Sequence, residues 1–176
     1  MEAKKLEVLR YMSEVIGQNG FRTEFFDGAD GNPPMTRVEL LRQGKIRQDV
    51  MIDMWFPGTA MARPETALFQ MHATMFQIEP GAMQRNMPEL KRALFYINDL
   101  CTVGHFGLFE QDGVIYMRHN IVLNLEDSME RMITDLCDYY SLMLSGIQRY
   151  VDAVAQIAMG AVNIEIAKEM ELLPNI

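Results

Sequence analysis

The sequence predicts an α+β fold: an antiparallel sheet of about six strands with helices, in the order α-β-β-β-β-α-β-β-α. Three observations lead there. Apolar residues recur at steps of three and four near the start, middle and end of the chain, the spacing of amphipathic helices. Between these stretches lie short runs rich in Val, Ile, Phe and Met, closed by Gly, Asp, Asn and Pro. Two pairs of runs flank tight turns, which makes them hairpins with antiparallel strands.

The first helix carries Leu6, Leu9, Met12 and Ile16, flanked by Val8 and Val15. The "GQNG" from Gly17 to Gly20 ends it, because Gly and Asn accept the left-handed backbone of a helix terminus. "FRTEFFD" reads as a strand closed by the turn "GADGNPP". "TRVELLR" and "IRQDVMIDMWF" form a hairpin around "QGK". In the second of these, Val50, Ile52, Met54 and Phe56 point one way while Asp49, Met51, Asp53 and Trp55 point the other. "PGTAMARPE" is a loop, since Pro57 and Pro64 bar regular strand. "ALFQMHATMFQI" fits neither period cleanly and is assigned as strand because Pro64 and "EPG" bound it tightly. "NMPELKRALFYINDLC" is a helix with Pro88 in its first turn and Leu90, Leu94 and Ile97 on its apolar stripe. "HFGLFE" and "VIYMRHNI" form a second hairpin around "QDG".

The last long element starts near Asn124 to Ser128, with Asp127 and Glu130 as a capping box or Asn124 as a rival cap. Met129, Met132, Leu136, Tyr140, Met143, Ile147, Tyr150, Val154 and Ile157 then keep a three-four rhythm, an amphipathic helix of about thirty residues. Gly160 breaks it. Residues 1–176 are expected to form a single domain, with 161–176 as a C-terminal helical tail.

The formal net charge of −8 disfavours nucleic acid, whose binding relies on Lys and Arg at phosphates, and anionic membrane surfaces. No apolar run reaches the roughly 18 residues of a membrane helix, and the N-terminus lacks the h-region of a signal peptide. A cytoplasmic location is the expectation. Cys101 and Cys137 are too few for a disulfide framework and are expected as free, buried thiols. The 16 methionines suit either core filling or an adaptable binding surface.

Motifs for chemistry are scarce. The sequence has no phosphate-binding glycine loop, no H-E-x-x-H and no G-x-S-x-G. "DGADGN", Asp27 to Asn32, resembles the start of a calcium loop, but Glu39 falls one position past the closing twelfth. Cys101 and His105 are four apart, yet one Cys and one His fall short of a zinc ligand set. Cys137 lies between acidic residues, which raise a thiol pKa, and Cys101 ends an apolar stripe, so neither reads as an activated nucleophile. No catalytic, cofactor-binding or metal residue is assigned.

The strand faces say more. With helices on one face, the inward set is Phe21, Phe25, Val38, Leu40, Val50, Ile52, Met54, Phe56, Phe69, Met71 and Met75. The outward set still holds Phe26, Leu41, Met51, Trp55, Leu68, Phe76 and Ile78, too apolar for a face left in water. Either this face is an interface, with Met51, Trp55, Leu68 and Phe76 as its residues, or helices cover both faces.

The stretch "LFYINDLCTVGHFGLFEQDGVIYMRHNIVLN", Leu94 to Asn124, continued by "SMERMITDLCDYYSLMLSGIQRYV", Ser128 to Val151, resembles the YbjN-like family. A helix ends in an Asn-containing turn, and a "G-x-F" strand runs through a "DG" turn into a strand that meets the long helix. The element order resembles the type III secretion chaperone-like fold. The resemblance covers the C-terminal half, and the N-terminal strands by order alone. It implies a small acidic domain, often dimeric, without enzymatic chemistry, and carries no fixed binding residues across. The extension after Gly160 departs from dedicated chaperones. The resulting expectation is a non-enzymatic protein-binding module, chaperone-like or regulatory. Its expected partners are a second copy of itself and a protein or peptide, without cofactor, nucleic acid or membrane. The alternative is a small-ligand-binding protein or enzyme using His72, His105 and His119.

Overall fold

A computed structural model of the chain describes residues 1–29, 31–78 and 80–175. The elements follow the predicted order, with one short helix in the C-terminal segment: α1 (Glu2–Gln18), β1 (Arg22–Phe26), β2 (Met35–Gln43), β3 (Gln48–Trp55), β4 (Thr66–Gln77), α2 (Pro80–Leu100), β5 (His105–Phe109), β6 (Val114–Asn124), α3 (Met129–Ala158) and α4 (Ile164–Glu169). The strands form one antiparallel sheet in the order β1-β2-β3-β4-β6-β5. Because β6 inserts between β4 and β5, α2 carries the chain across it. That makes β4-α2-β5 a crossover of the kind parallel strands require.

The inward residues form two buried rows across the sheet. Val38, Ile52, Ala73 and Met117 stand side by side, and next to them Thr36, Met54 and Met71, all fully buried. Helix α1 buries Val8, Leu9, Met12 and Ile16 on this side. The Thr36 hydroxyl donates to the Leu9 carbonyl at 2.7 Å, tying α1 to β2 with no polar group left over. Helix α3 brings Met132, Leu136, Met143, Ile147, Val151 and Val154 to the same core.

Three local readings differ from the sequence expectation. Pro88 lies inside α2, which begins at Pro80 rather than near Asn86. A proline removes one amide donor, and a start signal and an interior proline look alike from composition alone. The cap of α3 is Ser128, whose Oγ accepts from the Arg131 amide, and Asn124 instead turns its side chain to the Glu126 amide. The "EPG" boundary and the "DGADGN" turn each include a residue, Glu79 and Asp30, outside the described set.

The third difference is Phe76. A bulge in β4 between Thr74 and Phe76 leaves Met75 as an extra residue, so the alternation reverses beyond it. Phe76 pairs with buried Ile115 and packs on the core, together with Ile78. Phe76 and Ile78 therefore face the helices, where they share a hollow with Ile46, Ala155 and Met159, and the outward assignment of both is corrected.

Among the described residues, the C-terminal segment packs on helices rather than on the outer sheet face. Asn163 caps α4, which packs on α2 and α3. The Glu89 carboxylate accepts from the Ile164 amide, Arg92 meets Glu165 at 2.6 Å, and the Tyr96 hydroxyl donates to the Pro174 carbonyl. The helices thus lie on one face of the sheet and, among the described residues, leave the other uncovered.

Candidate interaction face

The uncovered face is built by strand alternation, one residue in two from each strand. Register turns these residues into rows that run across the sheet. In the central row Glu24, Arg37, Asp53, His72, Arg118 and His105 stand opposite one another, one from each strand. On one side of it run Arg22, Glu39, Met51, Thr74, Tyr116 and Gly107. On the other run Phe26, Met35, Trp55, Gln70 and Asn120, and beyond them Leu68 opposite Val122.

The expectation of a mainly apolar outer face is therefore corrected. Its middle is a polar row, with apolar groups on either side. Met51, Trp55 and Leu68 do lie on it, half-buried among their neighbours, while Val122 is 54% exposed and Phe109 44%. Leu41, also outward, is exposed near the bulged end of β2.

Within the row, Arg37 donates from Nε and a terminal nitrogen to the two Asp53 oxygens at 2.7 and 3.0 Å. This fork geometry fixes both side chains. The Arg37 pKa is raised, first by that hydrogen bond. Arg118 differs. It forms no ion pair among the described residues, its Nε is buried without a partner there, and a terminal nitrogen stands 3.5 Å from Nε2 of His105. Its guanidinium lies 5.7 Å from the Tyr116 ring centre.

His72 sits among rings. Tyr116 stacks on it at 5.0 Å between centres, Phe109 stacks on it at 6.2 Å, and Trp55 is tilted against it at 6.2 Å. Tyr116 can lie flat because Gly107 faces it across the strand pair; a Cβ there would collide with the Tyr116 ring. Burial lowers the His72 pKa, with Arg118 adding to the shift and Asp53 opposing it. Burial and then Arg118 lower that of His105. Both rings are neutral at neutral pH.

The three histidines do not converge. His72 and His105 are on the outer face with Arg118 between them. His119 points to the helix side, where Nδ1 accepts from the Gly104 amide at 3.1 Å and Nε2 is buried without a partner among the described residues. Its pKa is lowered by burial and then by His105. No hydrogen bond joins His72 to Asp53 among the described residues, and Asp53 is occupied by Arg37. Five cavities among the described residues have no histidine in their walls. No group of three His, Cys, Asp or Glu among those residues could hold a metal ion.

The cysteines are half-buried and free. Burial pushes the Cys101 thiol up to about 11, and burial followed by Asp138 raises that of Cys137. Neither is a thiolate at neutral pH, and the thiolate is the nucleophile. The opening of the "CTVGHFGLFEQDG" stretch is structural. The Asn98 amide both donates to the Phe106 carbonyl and accepts from its amide, at 2.9 and 2.7 Å, satisfying the edge of β5 at that residue. No helix among the described residues is long and apolar enough to cross a membrane.

The sequence signal for Met51, Trp55 and Leu68 was alternation, and it placed them correctly. The polar row was missed, although its signal was present: a charged residue or histidine at an outward position of every strand. Sequence alternation does not give register, so the alignment of these residues stayed hidden.

No family model matches the chain, and no curated protein matches it. Among solved structures, the crystal structure of the ExsC-ExsE complex is similar over 84% of this chain and 95% of that one, at 16% identity and a TM-score of 0.34. That distance carries neither residues nor roles across.

Proposed function

We propose that the chain is a protein-binding module, chaperone-like or regulatory, that works through the uncovered face of its sheet. The observation that carries this reading is a six-stranded face with the described helices on the opposite side and Trp55, Met51, Leu68, Val122 and Phe109 flanking a charged row. Apolar and aromatic groups flanking a charged row suit protein recognition, in which aromatic anchors supply energy and charges supply register. The YbjN-like pattern between Leu94 and Val151 and the chaperone-like element order belong to the same reading, as do a cytoplasmic setting and assembly as a homodimer. Enzymatic or small-ligand use of His72, His105 and His119 has less support, because two lie on an open face and the third on the other side of the sheet.

Hydroxyl-radical footprinting tests the proposal. Trp55, Met51 and Phe109 should lose labelling when the protein is concentrated or its partner is added, while exposed Phe95 on α2 stays labelled. Protection of Phe95 with no change at Trp55 would move the binding surface to the helices and sink the reading.

A further inference from the structure

We infer that the occupant of the outer face is a second copy of this chain, seated face to face about a two-fold axis running along β4 at His72, so that Asp53 of each copy meets Arg118 of the other. The inference rests on the reading that this face binds protein, and deepens it by naming the partner and the register.

The signs of the central row, together with an Arg118 that has no carboxylate among the described residues, select the arrangement. In strand order the row reads Glu24 negative, Arg37 positive, Asp53 negative, His72 neutral, Arg118 positive, His105 neutral. A two-fold pair presents the same patch from both sides. An axis crossing the strands along the row would set every charge against itself, Asp53 on Asp53 and Arg37 on Arg37, which is strongly unfavourable. An axis parallel to the strands reverses the row instead, and its position decides what meets. Placed on β3 it faces Asp53 with Asp53. Placed on β6 it faces Arg118 with Arg118. Placed between β3 and β4 it faces Arg37 with Arg118. Placed between β2 and β3 it pairs Arg37 with Asp53, which are already joined within each chain, and leaves Arg118 alone.

Placed on β4, the axis sets Asp53 against Arg118 twice, puts neutral His105 opposite Arg37 and His72 opposite His72, and brings no like charges together. It also supplies a carboxylate to Arg118, the cation of the row that has none among the described residues of its own chain. Asp53 can take both guanidinium groups, since a carboxylate offers about four acceptor positions. In the flanking rows the same rotation sets Met51 against Tyr116, Leu68 against Leu68 and Trp55 against Asn120, and again brings no like charges together.

Charge swapping tests this directly. Asp53→Lys and Arg118→Glu are each made in the full chain, checked by circular dichroism and followed by sedimentation equilibrium. In either variant alone both intermolecular pairs become like-charged, and self-association should weaken at least about 30-fold. Mixed in equal amounts, the two should form a heterodimer of near wild-type affinity. In it the lysine introduced in one copy meets the glutamate introduced in the other, while the unaltered Asp53 and Arg118 form the second pair. Native mass spectrometry identifies it by mass. If Asp53→Lys fails to fold beside Arg37, Gln70→Cys replaces it. Gln70 neighbours His72 on the axis strand, and a short bismaleimide should link two copies there. No heterodimer and no Gln70→Cys cross-link would overturn the arrangement. A wild-type dimer weakened by Trp55→Asp but by neither charge variant would overturn this register and spare the outer-face reading. A wild-type chain monomeric at roughly tens of micromolar would overturn the second copy as occupant.

Discussion

Cys101 shows how a reactive-looking residue becomes structural. It ends the apolar stripe of α2 next to the Leu100 and Val103 side chains, and burial alone raises its thiol to about 11. Because the folded pKa lies above the unfolded value, the neutral thiol favours the folded state. That contribution is complete below about pH 9 and falls as pH rises from about 9 to about 11. Cys101→Ala should flatten the decline of stability over this window, as denaturant melts at about pH 8 and about pH 10.5 would reveal; an unchanged slope would mean that the thiol titrates normally. Residue identity alone pointed the right way here, since an apolar neighbourhood is visible in the sequence. Phe76 is the opposite case. A single extra residue at Met75 reversed its face, and nothing in "ATMFQI" marks the bulge, because every side chain there is compatible with either side of a strand.

At the level of elements, the connection between α1 and the sheet rests on few polar contacts, so each matters. Thr36 is fully buried, and its hydroxyl reaches the Leu9 carbonyl across the layer. Thr36→Val keeps the shape and removes the donor. It should cost about 1 kcal/mol, with α1 amides exchanging faster than those of α3. Equal loss of protection in both helices would contradict a local tie. Helix and strand existence was legible because hydrophobic period is written into each segment: Leu9, Met12 and Ile16 for a helix, Val50, Ile52 and Met54 for a strand. Pairing between segments is a property of two strands together. The row from Glu24 to His105 could not be read until register was known, and neither could the insertion of β6 between β4 and β5.

For the whole molecule, the question is what covers the sheet. One side carries a continuous core of residues from all three long helices and every strand except β1, with Phe25 of that strand packed at its margin. The other side carries the charged row and its apolar flanks. The choice the sequence left open, an interface or helices on both faces, resolves in part: α4 sits on α2 and α3, so no helix among the described residues covers the second face. Trp55 belongs to that second face and is not part of the core. Its substitution by Asp is the most direct measurement of whether that face binds. Circular dichroism and gel filtration or light scattering on Trp55→Asp should show a folded protein whose self-association or partner binding is weaker by at least about 2 kcal/mol, because a large aromatic anchor is lost while Val50, Ile52 and Met54 are untouched. A variant that unfolds, or one that stays folded and associates as tightly as the wild type, would contradict the claim that the outer sheet face is the binding surface.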